Sequence, residues 1–135
     1  MLFPGRHTST ALKAPLTPAR PARRTLERMT STSRYKVSQS DTTHGPDGEH
    51  HLVRGEHASM RLWHREEPGD AKPETMNEYE TLGYVIAGRA VLTVDGETLA
   101  LEPGDSYCVP MNVPHSYRIV ETLTAVEVTT PPTGK

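Results

Sequence analysis

The sequence predicts an all-β domain, either a sandwich or a closed barrel, preceded by a tail of different character. After residue 48, short runs rich in β-branched and aromatic residues follow one another and are divided by glycine and proline. No stretch keeps the 3.6-residue apolar period of an amphipathic helix. Charge divides the chain as well: residues 1–34 carry seven basic side chains and one acidic side chain, a balance of +6, whereas the other 101 residues balance at −8.

We expect residues 1–40 to form a disordered basic tail rich in Pro, Ser and Thr, and residues 41–135 to form the barrel domain. Four prolines, at positions 4, 15, 18 and 21, interrupt any helix or strand near the start. We favour the interpretation that this segment is a disordered extension, or that translation truly starts at Met29. The Arg-rich, acid-poor composition is also that of an organelle transit peptide. No apolar run resembles a secretory signal, so we expect a cytoplasmic protein, with organelle import as the alternative.

Residues 41–48 are rich in turn formers and predict a loop that leads into the barrel. The strand signals that follow are short and are separated by turns. They predict eight strands, over His50–Val53, Ala58–His64, Leu82–Ala87, Ala90–Val94, Thr98–Leu101, Ser106–Val109, His115–Val120 and Thr124–Thr129.

The predicted turns have definite types. Asp95-Gly96 between two strand signals predicts a type I′ hairpin, because both central residues need positive φ. Pro103-Gly104 predicts a type II turn, with proline fixing the first central φ and glycine supplying the positive second one. Gly88 is expected to end one strand and begin the next.

Composition excludes several classes of protein. An acidic body lacks the positive field needed for non-specific nucleic-acid binding. No stretch approaches the roughly 20 apolar residues of a membrane span, so we expect neither nucleic acid nor a membrane as partner. Cys108 is the single cysteine, which excludes an intrachain disulfide and a zinc–cysteine cluster, and we expect it to be a buried apolar side chain.

Three stretches, residues 83–96, 101–105 and 109–115, resemble the core of the cupin superfamily. The resemblance covers residues 58–129. The second cupin motif, Gly-x5-Pro-x-Gly-x2-His-x3-Asn, is matched by Gly104, Pro110 and His115. Asn112 replaces the second glycine, and asparagine tolerates the left-handed conformation. Ile119 replaces the final asparagine.

The resemblance implies a double-stranded β-helix, or jelly-roll, barrel with a site in its interior. It also implies that two copies can pair through their outer sheet edges as a homodimer. Metal-binding cupins take two histidines and a glutamate from their first motif and one histidine from the second. In this chain the glutamate position falls on Thr81. The two histidine positions fall on Glu74 and Met76, or on Thr75 and Asn77, depending on the spacer length. Of the four ligand positions, only that of His115 carries the residue type found in metal-binding cupins.

We therefore expect a protein that binds a small organic molecule inside the barrel, without a tightly bound metal. Alternation along the last strands places His115, Tyr117 and Ile119 on one face. A histidine there can act as a polar anchor or as a proton-transfer group. The residues expected at the ligand are Met76, Thr81, Val85, His115 and Tyr117, with His115 as the catalytic candidate.

The alternative is a metal-dependent enzyme, an oxygenase, isomerase or lyase acting on a small organic substrate, in which His64, Glu74 and His115 hold a divalent metal. It requires the even-numbered, more apolar face of the strand that ends at His64 to point inward. Glu78, Glu80 and Glu127 are expected on the solvated outer face.

Overall fold

The computed structural model describes residues 33–133. The chain separates after Lys36, and the unit that begins at Val37 contains every described strand. Residues 1–32 of the predicted tail lie outside the described residues. The described strands are β1 (Thr43–His44), β2 (His50–Arg54), β3 (Ser59–Glu66), β4 (Glu80–Val94), β5 (Glu97–Leu101), β6 (Ser106–Val109) and β7 (His115–Thr130).

The predicted all-β fold is confirmed, but the sequence predicted more and shorter strands than the structure has. Residues 80–94 and 115–130 each form one long strand where the sequence predicted two short ones. Gly88 lies within β4, at φ +85°, where the register against β7 shifts. A β-carbon there would collide with the carbonyl oxygen of Thr122. The glycine therefore permits a bulge that bends the strand without ending it.

All strands are antiparallel, in the order β1-β2-β3-β7-β4-β5, and β6 pairs with the first half of β4. The first half of β4 joins β6 to the second half of β7, and β3 continues the sheet on the other side. Beyond the bend, the second half of β4 pairs with β5 and with the first half of β7. Strands β4 and β7 thus run through both halves of the barrel.

Residues 67–79, which we call the strap, connect β3 to β4. Backbone N–H groups of Gly69, Lys72 and Thr75 donate to carbonyls of Ile119, Tyr117 and His115 at 3.2, 2.8 and 2.9 Å. The strap therefore covers the edge of the first half of β7, which would otherwise present unpaired backbone groups.

The apolar core lies between the two halves and consists of Val85, Ala90, Leu92, Leu101, Val109, Ile119, Leu123 and Ala125. The turns follow their predicted types. Asp95 and Gly96 have φ of 51° and 83°, and Gly104 has φ of 94°. Asn112, at φ 59°, adopts the left-handed conformation that its motif position needs.

Two predictions about burial are wrong. Cys108 is exposed, because it lies on the outward face of β6, opposite Leu82. Glu127 is 2% exposed and points into the barrel. Within residues 33–133, none of the helical segments has the length and apolarity to cross a membrane.

Candidate functional site

The barrel interior holds a buried carboxylate surrounded by donors. Nε of Arg61 and Nε1 of Trp63 both donate to Oε1 of Glu127, at 2.8 and 2.9 Å, and the hydroxyl of Tyr107 donates to Oε2 at 2.6 Å. Arg61 also contacts the hydroxyl of Tyr79 at 3.4 Å. Each oxygen of this carboxylate therefore has a partner, as burial of a charge requires.

The surroundings of Glu127 hold its neighbours in one protonation state. Burial by itself would lower the pKa of Arg61, but the charge of Glu127 and the contact with Tyr79 raise it above its ordinary value. Burial, followed by the charge of Glu127, raises the pKa of Tyr107 and of Tyr117 well above their usual range. Both phenols stay protonated and so remain donors to groups in the barrel.

A pocket opens beside this network. It contains about 400 Å³ of empty space including its mouth. Its surface is almost entirely carbon. Aromatic, aliphatic and charged side chains all contribute to it, namely Trp63, Glu66, Lys72, Tyr107, Tyr117, Ile119, Leu123 and Glu127. The size fits one small molecule that lies partly in the mouth.

His115 lies beside the pocket rather than in its wall. It is 4% exposed, and its ring packs edge-on against Tyr117 with 5.9 Å between the ring centroids. Nδ1 lies 3.0 Å from the carbonyl oxygen of Val113, which can only accept a hydrogen bond, so Nδ1 carries the proton of the neutral ring. Nε2 then faces Thr75 Oγ1 at 3.4 Å and Asn77 Nδ2 at 3.5 Å.

These two contacts resolve which spacer applies to the first motif. Thr75 and Asn77, not Glu74 and Met76, face the histidine of the second motif. Thr75 also forms an isolated bridge with His115, which fixes its position on the strap. The ligand positions of the metal-binding cupins thus carry a hydroxyl and an amide here.

These residues do not fit a metal ion. Hydroxyl and amide side chains are weak ligands compared with the imidazole and carboxylate groups that divalent transition metals need. Across residues 33–133, no three His, Cys, Asp or Glu side chains are grouped so that they could hold a metal. His64, Glu74 and His115 are therefore not brought together. His64 and Glu74 are both exposed, and the ring of His64 lies near His50, 5.7 Å between centroids.

The other residues expected at the ligand lie in three different environments: the pocket wall, the buried face of β4 and the exposed surface. Tyr117 lines the pocket. Thr81 and Val85 are buried on the inward face of β4, Val85 in the apolar core. Met76 is 59% exposed, so the expectation that it lines the interior is wrong, because the adjacent strap residues Thr75 and Asn77 face inward instead. Whether any of these residues binds a ligand remains a prediction.

Four residues of the site are absent from the sequence-based set: Arg61, Trp63, Tyr107 and Glu127. Arg61, Trp63 and Glu127 were missed because the more apolar face of β3 and of the end of β7 was taken as the inner one. On β3, Ser59, Arg61 and Trp63 point inward, and an irregularity at Arg65 then brings Glu66 to the pocket. On β7 the odd-numbered face continues from His115 through Ile119 to Glu127. Reading residues 115–130 as one strand with a constant period of two would have placed Glu127 inside.

Comparison with known families shows one match. The family model described as a cupin domain matches residues 62–130, which is more than half of the chain. No curated protein sequence matches the chain.

Many solved structures share the fold. An RmlC-like cupin from Shewanella frigidimarina NCIMB 400 is similar with a TM-score of 0.64 and 18% identity, over 73% of this chain and 92% of that chain. KdgF from Halomonas sp. has a TM-score of 0.60 and 16% identity, over 74% and 94% of the two chains. The cupin domain of Cnp3 from Schizosaccharomyces pombe has a TM-score of 0.60 and 12% identity, over 70% and 72%. At these identities the likeness shows the fold alone.

Proposed function

The chain belongs to the cupin family, and from that premise we propose that it binds one small organic molecule in the pocket beside Glu127 and does so without a bound metal. The observation that carries the proposal is the pocket itself. It is apolar, it opens into the barrel, and the side chains of Trp63, Tyr107 and Tyr117 form its wall. A pocket of this kind is the usual place for a ligand.

The network behind the wall supports the same function. Glu127 is fully hydrogen-bonded, so it does not need a cation from the ligand. Its bonds to Trp63 and Tyr107 hold two aromatic rings in place before any ligand arrives. Preorganised rings lower the entropy cost of binding. The charged network thus acts as a scaffold for an apolar site.

The pocket contains its own reporter, because Trp63 is the only tryptophan of the chain. We expect small organic fragments to change the emission of Trp63 in a saturable manner. Replacing Ile119, an inward residue of the wall, by Phe fills the pocket and should abolish the change. Val120→Phe alters the neighbouring residue, which is exposed, and should leave binding intact. If no fragment in a broad panel gives a saturable signal, or if Ile119→Phe binds as well as Val120→Phe, the proposal fails.

The metal-free part of the proposal has a separate test. Protein purified without chelator is measured for iron, manganese, nickel and zinc, before and after loading with each metal. We expect less than a tenth of an equivalent in every case, because the groups around Nε2 of His115 are a hydroxyl and an amide. A near-stoichiometric metal that is lost in His115→Ala would overturn the proposal and favour the metal-dependent enzyme.

A further inference from the structure

The mouth of the pocket carries a lysine whose backbone is fixed. The N–H of Lys72 donates to the carbonyl of Tyr117 at 2.8 Å, so the root of its side chain is held next to a ring of the wall. Gly69 and Thr75 attach the strap on either side of it. Lys72 therefore reaches the mouth from a defined position, although its ammonium group remains in contact with water.

Three charged residues line the pocket, Glu66, Lys72 and Glu127, and Glu127 is held by hydrogen bonds within the protein. Glu127 accepts hydrogen bonds from Arg61, Trp63 and Tyr107. Glu66 ends β3 opposite Leu123, and its charge acts on the ring of His50 on the next strand. In the described part of the chain, no carboxylate lies within 4.0 Å of the ammonium group of Lys72.

We infer that the ligand is a small carboxylic acid with a ring-sized apolar body. This inference rests on the proposed function and names the class of molecule bound. The apolar body lies against Trp63, Tyr107 and Tyr117, where offset or edge-on ring contacts are favourable. The carboxylate stays at the mouth, partly hydrated, and accepts a hydrogen bond from Lys72. Carrying the charge deeper would bring it against apolar wall and towards Glu127, which repels it.

The size of the pocket agrees with this division. Its empty space, counted with the open mouth, is about 400 Å³, towards the lower end of the range for small-molecule sites. A ring-sized body fits against the aromatic wall, and the remaining atoms of the ligand extend into the mouth, where Lys72 lies.

The test uses three probes that share one ring and differ in charge: phenylacetate, phenylacetamide and phenethylamine. Binding to the full chain is followed by Trp63 emission and by calorimetry at low ionic strength. We expect phenylacetate to bind about fivefold more tightly than the amide, the range of a partly exposed ion pair. The difference should shrink as salt is added.

Two variants assign the preference to Lys72. Lys72→Gln should remove the difference in affinity between phenylacetate and phenylacetamide. Arg118→Gln, which removes an exposed positive charge on the same stretch of β7, should keep the difference. Equal affinity for acid and amide, a preference that survives Lys72→Gln, or tightest binding of phenethylamine would each overturn the inference. If neutral fragments bind and phenylacetate has no advantage, only this inference fails. If nothing binds, the proposed function fails with it.

Discussion

Arg61 and Glu127 form an ion pair inside the barrel, with 2.8 Å between Nε and Oε1, and the Glu127 side chain is 2% exposed. The two residues face each other on neighbouring strands, since Arg61 of β3 is in register with Glu127 of β7. At this end of the barrel the polar residues Ser59, Arg61, Glu127 and Thr129 point inward, and the apolar residues of β3 and β7 beside them, Met60, Leu62, Val126 and Val128, lie on the opposite face of the sheet.

Glu127→Gln should strongly destabilise the protein. The substitution keeps the size of the side chain but leaves the guanidinium of Arg61 buried without a counter-charge. Breaking a buried pair in this way costs about 3–5 kcal/mol. Urea unfolding followed by Trp63 fluorescence and circular dichroism measures the difference.

An exposed pair on the same barrel is the matched control. Arg89 and Glu121 lie 3.6 Å apart, and both side chains are more than half exposed. Glu121→Gln should change the free energy of unfolding by less than about 1 kcal/mol. A loss of similar size in both variants would contradict the role given to the buried pair.

Gly83→Ala should disturb the pocket through Tyr107. A β-carbon at position 83 would collide with the ring and hydroxyl of Tyr107, which bonds to Glu127 at 2.6 Å. Displacing that ring costs about 1–3 kcal/mol of stability and reshapes the wall of the pocket. We expect weaker binding of fragments, read from Trp63 emission. Gly69→Ala is the control, because no atom lies within 4 Å of the added carbon. Equal effects of the two changes would argue against the role of Tyr107.

His50 should make the barrel less stable in mild acid. Partial burial, and then the neighbouring rings of His44 and His64, lower its pKa below 6.5, with Glu66 acting in the opposite direction. The unfolded chain therefore binds the proton more readily than the folded chain. The contribution of neutral His50 to the free energy of unfolding is present above about pH 6.5, and it is lost as the pH falls towards the pKa of His50 in the folded protein.

Thermal unfolding at a series of pH values between about 7.5 and 5 measures this effect. In His50→Asn the fall in Tm with decreasing pH should be shallower than in the unmodified protein. His57→Asn changes a histidine whose side chain is 88% exposed and should leave the slope unaltered. A slope that is the same in His50→Asn and the unmodified chain would refute the assignment.

The homodimer remains a prediction, and we expect its copies to meet through the outer face of the sheet rather than through the sheet edges. The outer sheet carries two rows of apolar residues in register across β3, β7 and β4: Met60, Val128 and Leu82, and Leu62, Val126 and Tyr84. Ile86 extends the patch and is 52% exposed. Leu82 and Tyr84 are each 49% exposed. Contiguous exposed apolar residues are typical of interaction surfaces, and a second copy presents the same face to this one.

We expect the unmodified chain to sediment at twice its mass of 14.9 kDa, and Ile86→Asp to sediment at 14.9 kDa. Thr98→Asp, an exposed change on β5, should leave the dimer intact. A monomeric unmodified protein at micromolar concentration would refute the pairing of copies.

The sequence by itself determined the fold class, the turns and the position of His115. These features depend on local chemistry: positive φ at Asp95-Gly96 and Asn112, a proline and glycine at a type II turn, and a motif with fixed spacing. The departures of the first motif from the ligand types of metal-binding cupins are also visible in the sequence, because the identity of a residue does not depend on packing.

Only the tertiary structure decided which face of β3 and of the second half of β7 is inside. Alternation gives two faces but does not say which one points to the core, and an apolar row can face either the core or a neighbouring copy. On β3 and β7 the side chains of Arg61 and Glu127 point inward, because their opposite charges neutralise each other there. That pairing requires residues 66 positions apart to meet in register, and nothing in the local sequence specifies it.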